Sequence, residues 1–502
     1  MIKVGFITNY FIFLFSKSKQ PPIRTLKKTV RWVIGIILGI YIGTIILLNI
    51  PYIQRNMTTF VTKELSRTLG TELTIGKIDI GLLNRIIIDD VLLDDQSGKE
   101  MLKITRLSAK FDIIPLFNGK ITISSVQLFG FNINLNKPAP HMEPNFKFVL
   151  DAFASKDTVK TKKDIDLRIN SILIRRGKLS YDVLSEEETP GKFNPQHIKL
   201  HNIIANISLK ALQNDSINAA IKRLSVDEQS GFELRKLSLK VIANNKGMKI
   251  ENFAIEMPGT EMKMDTIRME YDSLKALNHF ADNVRFSFRT LPSHVTLNDI
   301  SAFVPALSNF KEKLDLNIDV EGTLNQLNCR TLEINAGDKF RLKGDVSLQD
   351  LSRPQDAYVY GHLANLSANK EGIGFLVRNL SPHYNGVPPV LQHLGNTSFH
   401  GEISGYFTDL VMYGLFRTDI GSVQTDLKLS SDKAKALFSY SGGVKTTDFE
   451  LGQLLGNKQL GKITFNLDVR GNHYKSQYPS ITLKGLIASL EYSNYKLSLI
   501  HI

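Results

Sequence analysis

The feature that most constrains this chain is a period of two in its hydrophobic residues, which recurs from Thr71 to the end of the sequence. Successive side chains of a β-strand point to opposite faces, so the pattern predicts strands with one apolar and one polar face. The run at residues 313–321 follows the pattern without exception. Its apolar residues, together with those of two similar runs, are Leu314, Leu316, Ile318, Val320, Ile133, Leu135, Ile463, Phe465, Leu467 and Val469. At ordinary strand lengths the sequence has room for roughly 20 strands.

Helical segments are few after Thr71. Residues 297–307 and 373–380 are the main candidates, and no regular exchange of strand and helix indicates a parallel α/β sheet. The alternation slips near Ser125 and Phe129, where we expect turns or bulges. The fold class predicted is mainly β, with an N-terminal transmembrane helix, a few short helices and an elongated, repetitive antiparallel sheet that forms a groove.

Residues 30–50 form an apolar run with no charge after Arg31. At about 1.5 Å per residue the run spans roughly 30 Å as a helix, the thickness of a hydrocarbon layer. No small-x-small cleavage site follows it, so we predict an uncleaved anchor. Basic residues precede it, and the positive-inside rule therefore places the N-terminus in the cytoplasm and the rest of the chain outside.

Two further patterns surround the anchor. Gly35, Gly39 and Gly43 have GxxxG spacing, which lets another membrane helix approach closely, although glycine is also simply common in membrane helices. After the anchor, apolar residues recur every four positions until Gly70, which predicts an amphipathic helix within residues 51–70. We expect this helix to cap the first strands, or alternatively to lie along the membrane surface.

The charge distribution argues against nucleic acid as a partner. The 502 residues carry 62 Lys and Arg against 49 Asp and Glu, a net charge of +13. Nine of these cations precede residue 64, where no acidic residue occurs, so the other 439 residues have a net charge of only +4. The basic excess therefore belongs to the flanks of the anchor.

No catalytic or metal-binding pattern is present. Cys329 is the single cysteine, which excludes an internal disulfide. His197 and His201 have HxxxH spacing, but on a strand they would lie about 13 Å apart and face solvent. Residues 456–462 match a phosphate-binding loop except for its final hydroxyl, and they precede a strand instead of a helix. We therefore expect no enzyme activity, no cofactor and no metal site.

The apolar face of so many strands must be covered by a second sheet, by helices or by a ligand. One interpretation is an ordinary β-sandwich core, as in an anchored adhesion or structural module. The other is a long groove that contacts acyl chains, lined by the ten residues named above for the three runs.

Several segments resemble a known family. The anchor and helix, followed by TELTIGKIDIG (71–81), NRIIIDDVLLDDQSGKEMLKITRLSAKFD (84–112) and GKITISSVQLFGFNINL (119–135), resemble the N-terminus of AsmA-like proteins. Residues 394–430 and 448–471 resemble the TamB branch, the inner-membrane component of the translocation and assembly module, in its Bacteroidota-type form. TamB proteins are usually longer, so we expect that this chain, which stops within a strand pattern, is truncated at its C-terminus.

The resemblance implies a division into five parts: a basic cytoplasmic N-terminus (1–29), the anchor (30–50), the amphipathic helix (51–70), an AsmA-like β region (71–155) and a TamB-like repeating β-groove (156–502). It also implies an inner-membrane protein whose bulk lies in the periplasm and which moves phospholipid toward the outer membrane without catalysis. The alternative that it implies is a scaffold for outer-membrane protein assembly with a BamA-like barrel partner.

Overall fold

A computed structural model describes residues 23–81, 84–112, 122–153, 168–213, 216–353, 356–380, 389–432, 437–474 and 480–501. The first 22 residues of the predicted cytoplasmic N-terminus lie outside the described residues. The helices are α1 (Ile23–Leu48), α2 (Pro51–Leu69), α3 (Lys147–Phe153), α4 (Phe280–Asn283), α5 (Lys370–Leu380), α6 (Pro389–Gln392) and α7 (Leu451–Leu455). Short 3-10 helices cover Leu274–His279, Leu297–Ile300 and Pro305–Leu307.

The chain is mainly β, as predicted, and its strands form one sheet. The strands are β1 (Leu73–Gly81), β2 (Arg85–Asp94), β3 (Glu100–Phe111), β4 (Thr122–Lys137), β5 (Arg168–Ile169), β6 (Ser171–Val183), β7 (His197–Gln213), β8 (Ser216–Glu228), β9 (Glu233–Ala243), β10 (Gly247–Glu256), β11 (Glu261–Glu270), β12 (Arg285–Thr290), β13 (Ser293–Val295), β14 (Leu314–Thr323), β15 (Gln326–Ala336), β16 (Phe340–Gln349), β17 (Tyr358–Ala368), β18 (Thr397–Tyr406), β19 (Asp409–Thr418), β20 (Gly421–Asp432), β21 (Leu437–Glu450), β22 (Leu460–Tyr474), β23 (Ser480–Tyr492) and β24 (Tyr495–His501).

Almost every strand pairs antiparallel with the next one along the chain, from β1 to β24. The exception is β4, which pairs in parallel with β5 and β6 after a connection that contains α3. β12 and β13 share one position in the sheet, because both lie between β11 and β14. A parallel pair requires a long crossover, and the alternation of residues alone does not reveal where one occurs.

α1 contains the predicted anchor. Among the described residues it is the one helix that is long and apolar enough to cross a membrane, over 28–48. α2 follows after Asn49 and Ile50, and it ends where predicted, since Gly70 adopts a left-handed φ of 67° and its N–H bonds to the carbonyl of Ser66. Met57, Val61 and Leu65 of α2 pack on a cluster that contains Leu73, so this helix caps the first strands.

Left-handed residues explain why the alternation slips. In several strands two apolar residues are three positions apart instead of two, and the residue before the second has a positive φ. Leu128 and Phe131 flank Gly130 with φ 62°, and Ile250 and Phe253 flank Asn252 with φ 53°. The same arrangement recurs at Asp90 and Asn202, and positive φ angles also occur at Arg176 and Asp448, before Gly177 and Phe449. A bulge of this kind turns the chain so that the apolar residues on both sides remain on one face.

Candidate functional site

The apolar residues of successive strands lie directly opposite one another, and residues opposite in a ladder share a face of the sheet. We call this surface the apolar face. One row crosses β14 to β23 through Leu316, Ile334, Leu342, Leu366, Phe399, Phe416, Val423, Thr446, Phe465 and Ile487.

Two more rows extend the apolar face to the start of the sheet. One crosses β7 to β23 through Leu209, Ala219, Val241, Ile250, Ile267, Phe288, Val320, Cys329, Val346, Gly361, Ile403, Met412, Leu427, Gly442, Val469 and Leu483. The other crosses β1 to β9 through Ile78, Ile88, Leu107, Leu128, Ile174, Ala205, Leu224 and Leu237. None of these residues carries a charge.

The ten residues that the sequence predicted as groove lining lie on β4, β14 and β22. Register and packing place them on this same face, because Leu135 joins the cluster of Ile78 and Ile88, and Val320 and Val469 belong to one row. Four of the ten are buried and six are half-buried. The buried four are Leu314, Val320, Ile463 and Leu467.

Short helices cover part of the apolar face along one margin. Ile373 and Phe375 of α5 pack in a cluster with Leu314 and Phe340, at the ends of β14 and β16. α7 takes part in a second cluster through Leu451 and Leu454. Away from this margin many side chains of the face remain half-exposed, and Leu483 is 44% exposed. A closed sandwich core would bury such residues fully.

The polar atoms of the apolar face are turned toward the main chain. The hydroxyl of Thr397 bonds to the carbonyl of Ala368 at 3.0 Å, and that of Thr446 bonds to the carbonyl of Ser422 at 2.7 Å. The hydroxyl of Thr425 likewise bonds to a carbonyl of the adjacent strand β19. These threonines therefore satisfy their polar groups within the sheet and contribute methyl groups to the surface.

Glycines on the apolar face lie beneath aromatic rings. A Cβ atom built on Gly401 or Gly414 would lie 3.0 or 2.9 Å from Cζ of Phe399, so this ring rests on two glycines of neighbouring strands. The ring of Phe131 covers Gly177 in the same way, with a Cβ-to-Cζ separation of 2.4 Å. An aromatic side chain that lies over a glycine fills the missing volume and keeps the surface apolar.

Ion pairs dominate the opposite face of the sheet. Glu251 on β10 lies between Lys240 and Lys249, at 2.7 and 2.6 Å. Hydrogen bonds from these two ammonium groups lower the pKa of Glu251 to about 2. Arg289 pairs with Asp319 across β12 and β14 in a similar manner. A face of paired charges stays hydrated, so the two faces of the sheet differ sharply in polarity.

One buried polar cluster was missed in the sequence. His197 was expected to face solvent, and this is wrong, because it is only 5% exposed. Its Nδ1 lies 3.0 Å from Oδ1 of Asp182 and its Nε2 lies 3.0 Å from the carbonyl oxygen of Glu186. Both partners are acceptors, so this geometry favours the imidazole that carries a proton on each ring nitrogen. The hydrogen bond to Asp182 raises the pKa of His197.

The same cluster is the one group of possible metal ligands among the described residues, with Asp182, Glu188 and His197 close together. Glu188 pairs with Lys199 at 3.0 Å, which lowers the pKa of Glu188. A metal would have to displace this ammonium and the protons of the imidazole. The arrangement therefore works as an ion-pair cluster that ties the β6–β7 connection to its strands.

The edge of the sheet at β1 is covered by polar side chains of α2. The hydroxyl of Ser66 bonds to the backbone N–H of Leu73 at 3.1 Å, and that of Thr58 accepts the N–H of Ile78 at 3.2 Å. Ser66 also donates to the carbonyl of Leu73. The sequence pattern predicted the apolar stripe of α2 but not this polar stripe, although its hydroxyl residues Thr58, Thr62 and Ser66 recur every four positions. The backbone groups bonded in this way, at Leu73 and Ile78, are not free to pair with another strand.

None of the described residues packs against the three glycines of α1. No heavy atom lies within 4 Å of a Cβ position built on Gly35, Gly39 or Gly43, apart from the helix itself. Packing of another helix on this GxxxG surface remains a prediction.

Comparison of the chain with protein-family models, with characterised proteins and with solved structures gave no match.

Proposed function

We propose that this chain is a membrane-anchored, non-catalytic phospholipid-transfer protein of the bacterial envelope, in which the apolar face forms a groove for acyl chains. The observation that carries the proposal is the unbroken apolar face, which the register follows from β1 to β23 without a charged residue. Strands about 4.8 Å apart give the whole sheet a length of about 100 Å. A core that only stabilised the fold would be covered on this side.

The free energy of burying acyl chains on the apolar face is compatible with lipid transfer along it. Each methylene group of an acyl chain gains about 0.8 kcal/mol when it leaves water for an apolar surface. Aliphatic side chains and covered glycines offer similar contacts in every row, so no single strand should bind an acyl chain more tightly than its neighbours. The headgroup would remain at the hydrated margin of the groove. The resemblance to AsmA-like and TamB proteins supports an inner-membrane anchor, a periplasmic body and movement of lipid toward the outer membrane.

The alternative is a scaffold that assembles outer-membrane proteins with a BamA-like barrel, by pairing its sheet edge with client strands. Ser66 and Thr58 of α2 occupy the backbone groups of β1, the edge nearest the anchor. This covered edge supports lipid transfer over strand addition at that end of the sheet. Crosslinks from α2 or β1 to a client strand would favour the scaffold.

The proposal is tested with the full chain, purified in mild detergent, by mass spectrometry of the lipid that remains bound. We expect phospholipid on the wild type and its loss from a variant with Ile318→Asp, Met412→Asp and Leu427→Asp, all half-buried on the apolar face.

The matched control carries Asn317→Asp, Tyr413→Asp and Gln424→Asp, which lie exposed on the opposite face of the same strands. The control should keep its lipid, and circular dichroism should show that both variants keep their strands. A wild type free of lipid, or equal lipid on both variants, would refute the groove.

A further inference from the structure

α1 contacts the sheet along one side only. Most residues of the candidate span are exposed, whereas Tyr41, Ile45, Leu48 and Asn49 are half-buried. Their spacing of four, three and one residues places them on a single face of the helix. The last two turns of α1 therefore lie against the sheet, while the turns before Tyr41 do not.

Two hydrogen bonds identify the element that this helix face meets. The hydroxyl of Tyr41 lies 3.1 Å from Oδ1 of Asn84, and Nδ2 of Asn49 donates to the carbonyl of Ile80 at 2.6 Å. Ile80 and Asn84 belong to the end of the β1–β2 hairpin. The hairpin end therefore runs back along α1, toward the centre of the span.

The depth of this contact follows from helix geometry. The candidate span ends at Leu48, and Tyr41 lies seven residues earlier, or about 10 Å along the helix axis. One leaflet contributes roughly 15 Å of hydrocarbon. If α1 crosses the membrane, Asn84 lies well within the outer leaflet, where its side-chain carbonyl oxygen accepts a hydrogen bond from Tyr41.

The polar groups of the junction lie at the other end of the contact. Nε2 of Gln54 bonds to Oδ1 of Asn49 at 3.0 Å and also to Asp79, which pairs with Lys77. This cluster lies at the level of Asn49, where the span ends. An apolar span on one side and a cluster that contains the ion pair of Lys77 and Asp79 at its end are the layering expected at a membrane boundary.

Two cations lie at the hairpin end without counter-ions. Arg85 follows Asn84 directly, and the register places it opposite Lys110 of β3. Three carboxylates lie nearby: Asp79 and Asp89 pair with Lys77 and Arg106, and Asp112 follows Lys110 by two residues. Neither Arg85 nor Lys110 has an ion pair among the residues that the structure describes. Like charges directly opposite in a sheet repel each other unless an anion lies between them.

We propose that the end of β1, β2 and β3 inserts into the outer leaflet beside α1, and that Arg85 and Lys110 bind the phosphate of a phospholipid headgroup there. The next residues along the two strands, Ile86 and Ala109, lie opposite each other on the apolar face, so Arg85 and Lys110 lie on the polar face at the end of the sheet. A headgroup drawn to this depth thins the leaflet at the point where the apolar face begins. The inference rests on the proposed membrane anchor but not on transfer along the sheet.

Insertion is tested with the full chain in phosphatidylcholine vesicles. Cys329→Ser removes the native thiol, and a fluorophore is attached at Gly81→Cys, where a Cβ would meet its nearest neighbour at an ordinary 3.6 Å. Gln96→Cys, beyond the opposite end of β2, is the matched control. We expect lipids brominated on the acyl chain to quench the label at position 81 and not that at position 96. Equal emission from both labels would overturn insertion.

Phosphate binding is tested with the same label at position 81. Brominated phosphatidylglycerol should quench it several-fold more than brominated phosphatidylcholine at equal mole fraction, because two cations attract an anionic lipid. Arg85→Gln with Lys110→Gln should abolish this preference, whereas Lys99→Gln with Lys103→Gln, exposed near the other end of β3, should retain it.

An unchanged preference in the first pair would overturn the phosphate site. Competition by millimolar inorganic phosphate would identify a site for free phosphate and overturn the headgroup assignment. Quenching of this label does not require lipid on the rest of the apolar face, so the result is independent of the co-purification experiment that tests lipid transfer.

Discussion

The imidazole of His197 bridges Asp182 and the carbonyl oxygen of Glu186, with both contacts at 3.0 Å. This relationship joins the first residue of β7 to the end of β6 and to the connection between them. Glu188 and Lys199 face the same imidazole, and the carbonyl of His197 accepts a hydrogen bond from Gln229. The hydrogen bonds of one buried histidine therefore hold the β6–β7 connection to its strands.

A pH dependence of stability follows. Folding raises the pKa of His197 above its unfolded value of about 6.5, so the folded chain binds the proton more tightly. The stabilisation is fully present below pH about 6.5 and is lost as the pH rises through the folded pKa. We expect the thermal midpoint of wild type to exceed that of His197→Gln at pH 5.5, with a smaller gap at pH 9. His201→Gln, exposed on the same strand, is the control, and a gap independent of pH would contradict the charged imidazole.

The polar stripe of α2 contains one satisfied and one unsatisfied threonine. The hydroxyl of Thr58 bonds to the N–H of Ile78, whereas that of Thr62 is buried and has no hydrogen-bond partner among the described residues. Thr58→Val should cost about 1–3 kcal/mol because it leaves a buried N–H unpaired, and Thr62→Val should be neutral or stabilising. Denaturant unfolding compares the two variants. Equal losses would show that α2 does not bond to the edge of β1.

The left-handed bulges predict opposite effects of glycine at neighbouring positions. Arg176 has φ 58°, a conformation that costs a residue with a Cβ about 1–2 kcal/mol. Arg176→Gly should therefore raise stability, by about 0.5–1 kcal/mol after the entropy lost by glycine is subtracted. Arg175→Gly, on the same strand without a positive φ, should lower stability by about 0.5–1 kcal/mol. A loss of stability in both variants would argue against a left-handed bulge at Arg176.

The contact between Phe131 and Gly177 predicts a coupled pair. A Cβ at position 177 would lie 2.4 Å from the ring, so Gly177→Ala must displace it and should cost about 1–3 kcal/mol. Phe131→Leu removes the obstructing ring, so Gly177→Ala should cost less stability in that background. A double-mutant cycle in denaturant measures this coupling, and strict additivity would show that the ring does not rest on the glycine.

Much of the fold could be predicted from local patterns. Strict alternation, as in residues 313–321, reflects the two faces of a strand, and the four-residue spacing before Gly70 reflects one face of a helix. Both patterns depend only on residues close together in the chain, so they can be recognised without a tertiary structure. The predicted helical interruptions at 297–307 and 373–380 correspond to 3-10 turns and to α5 for the same reason.

The remaining features depend on pairing between distant residues. The slip at Phe129 signalled a bulge, but only the positive φ of Gly130 showed that both sides stay on one face. The parallel pairing of β4 with β6 brings together segments separated by the crossover that contains α3.

The sequence by itself determined the apolar span, the amphipathic helix and the two-faced strands, because each depends on spacing along a few turns or residues. Only the tertiary structure decided which apolar residues form one continuous surface, which strand edge is covered and how deep the first hairpin lies beside α1. The continuous surface depends on the pairing register of the strands, and the other two features depend on side-chain contacts such as that of Tyr41 with Asn84, whose partners are distant in sequence.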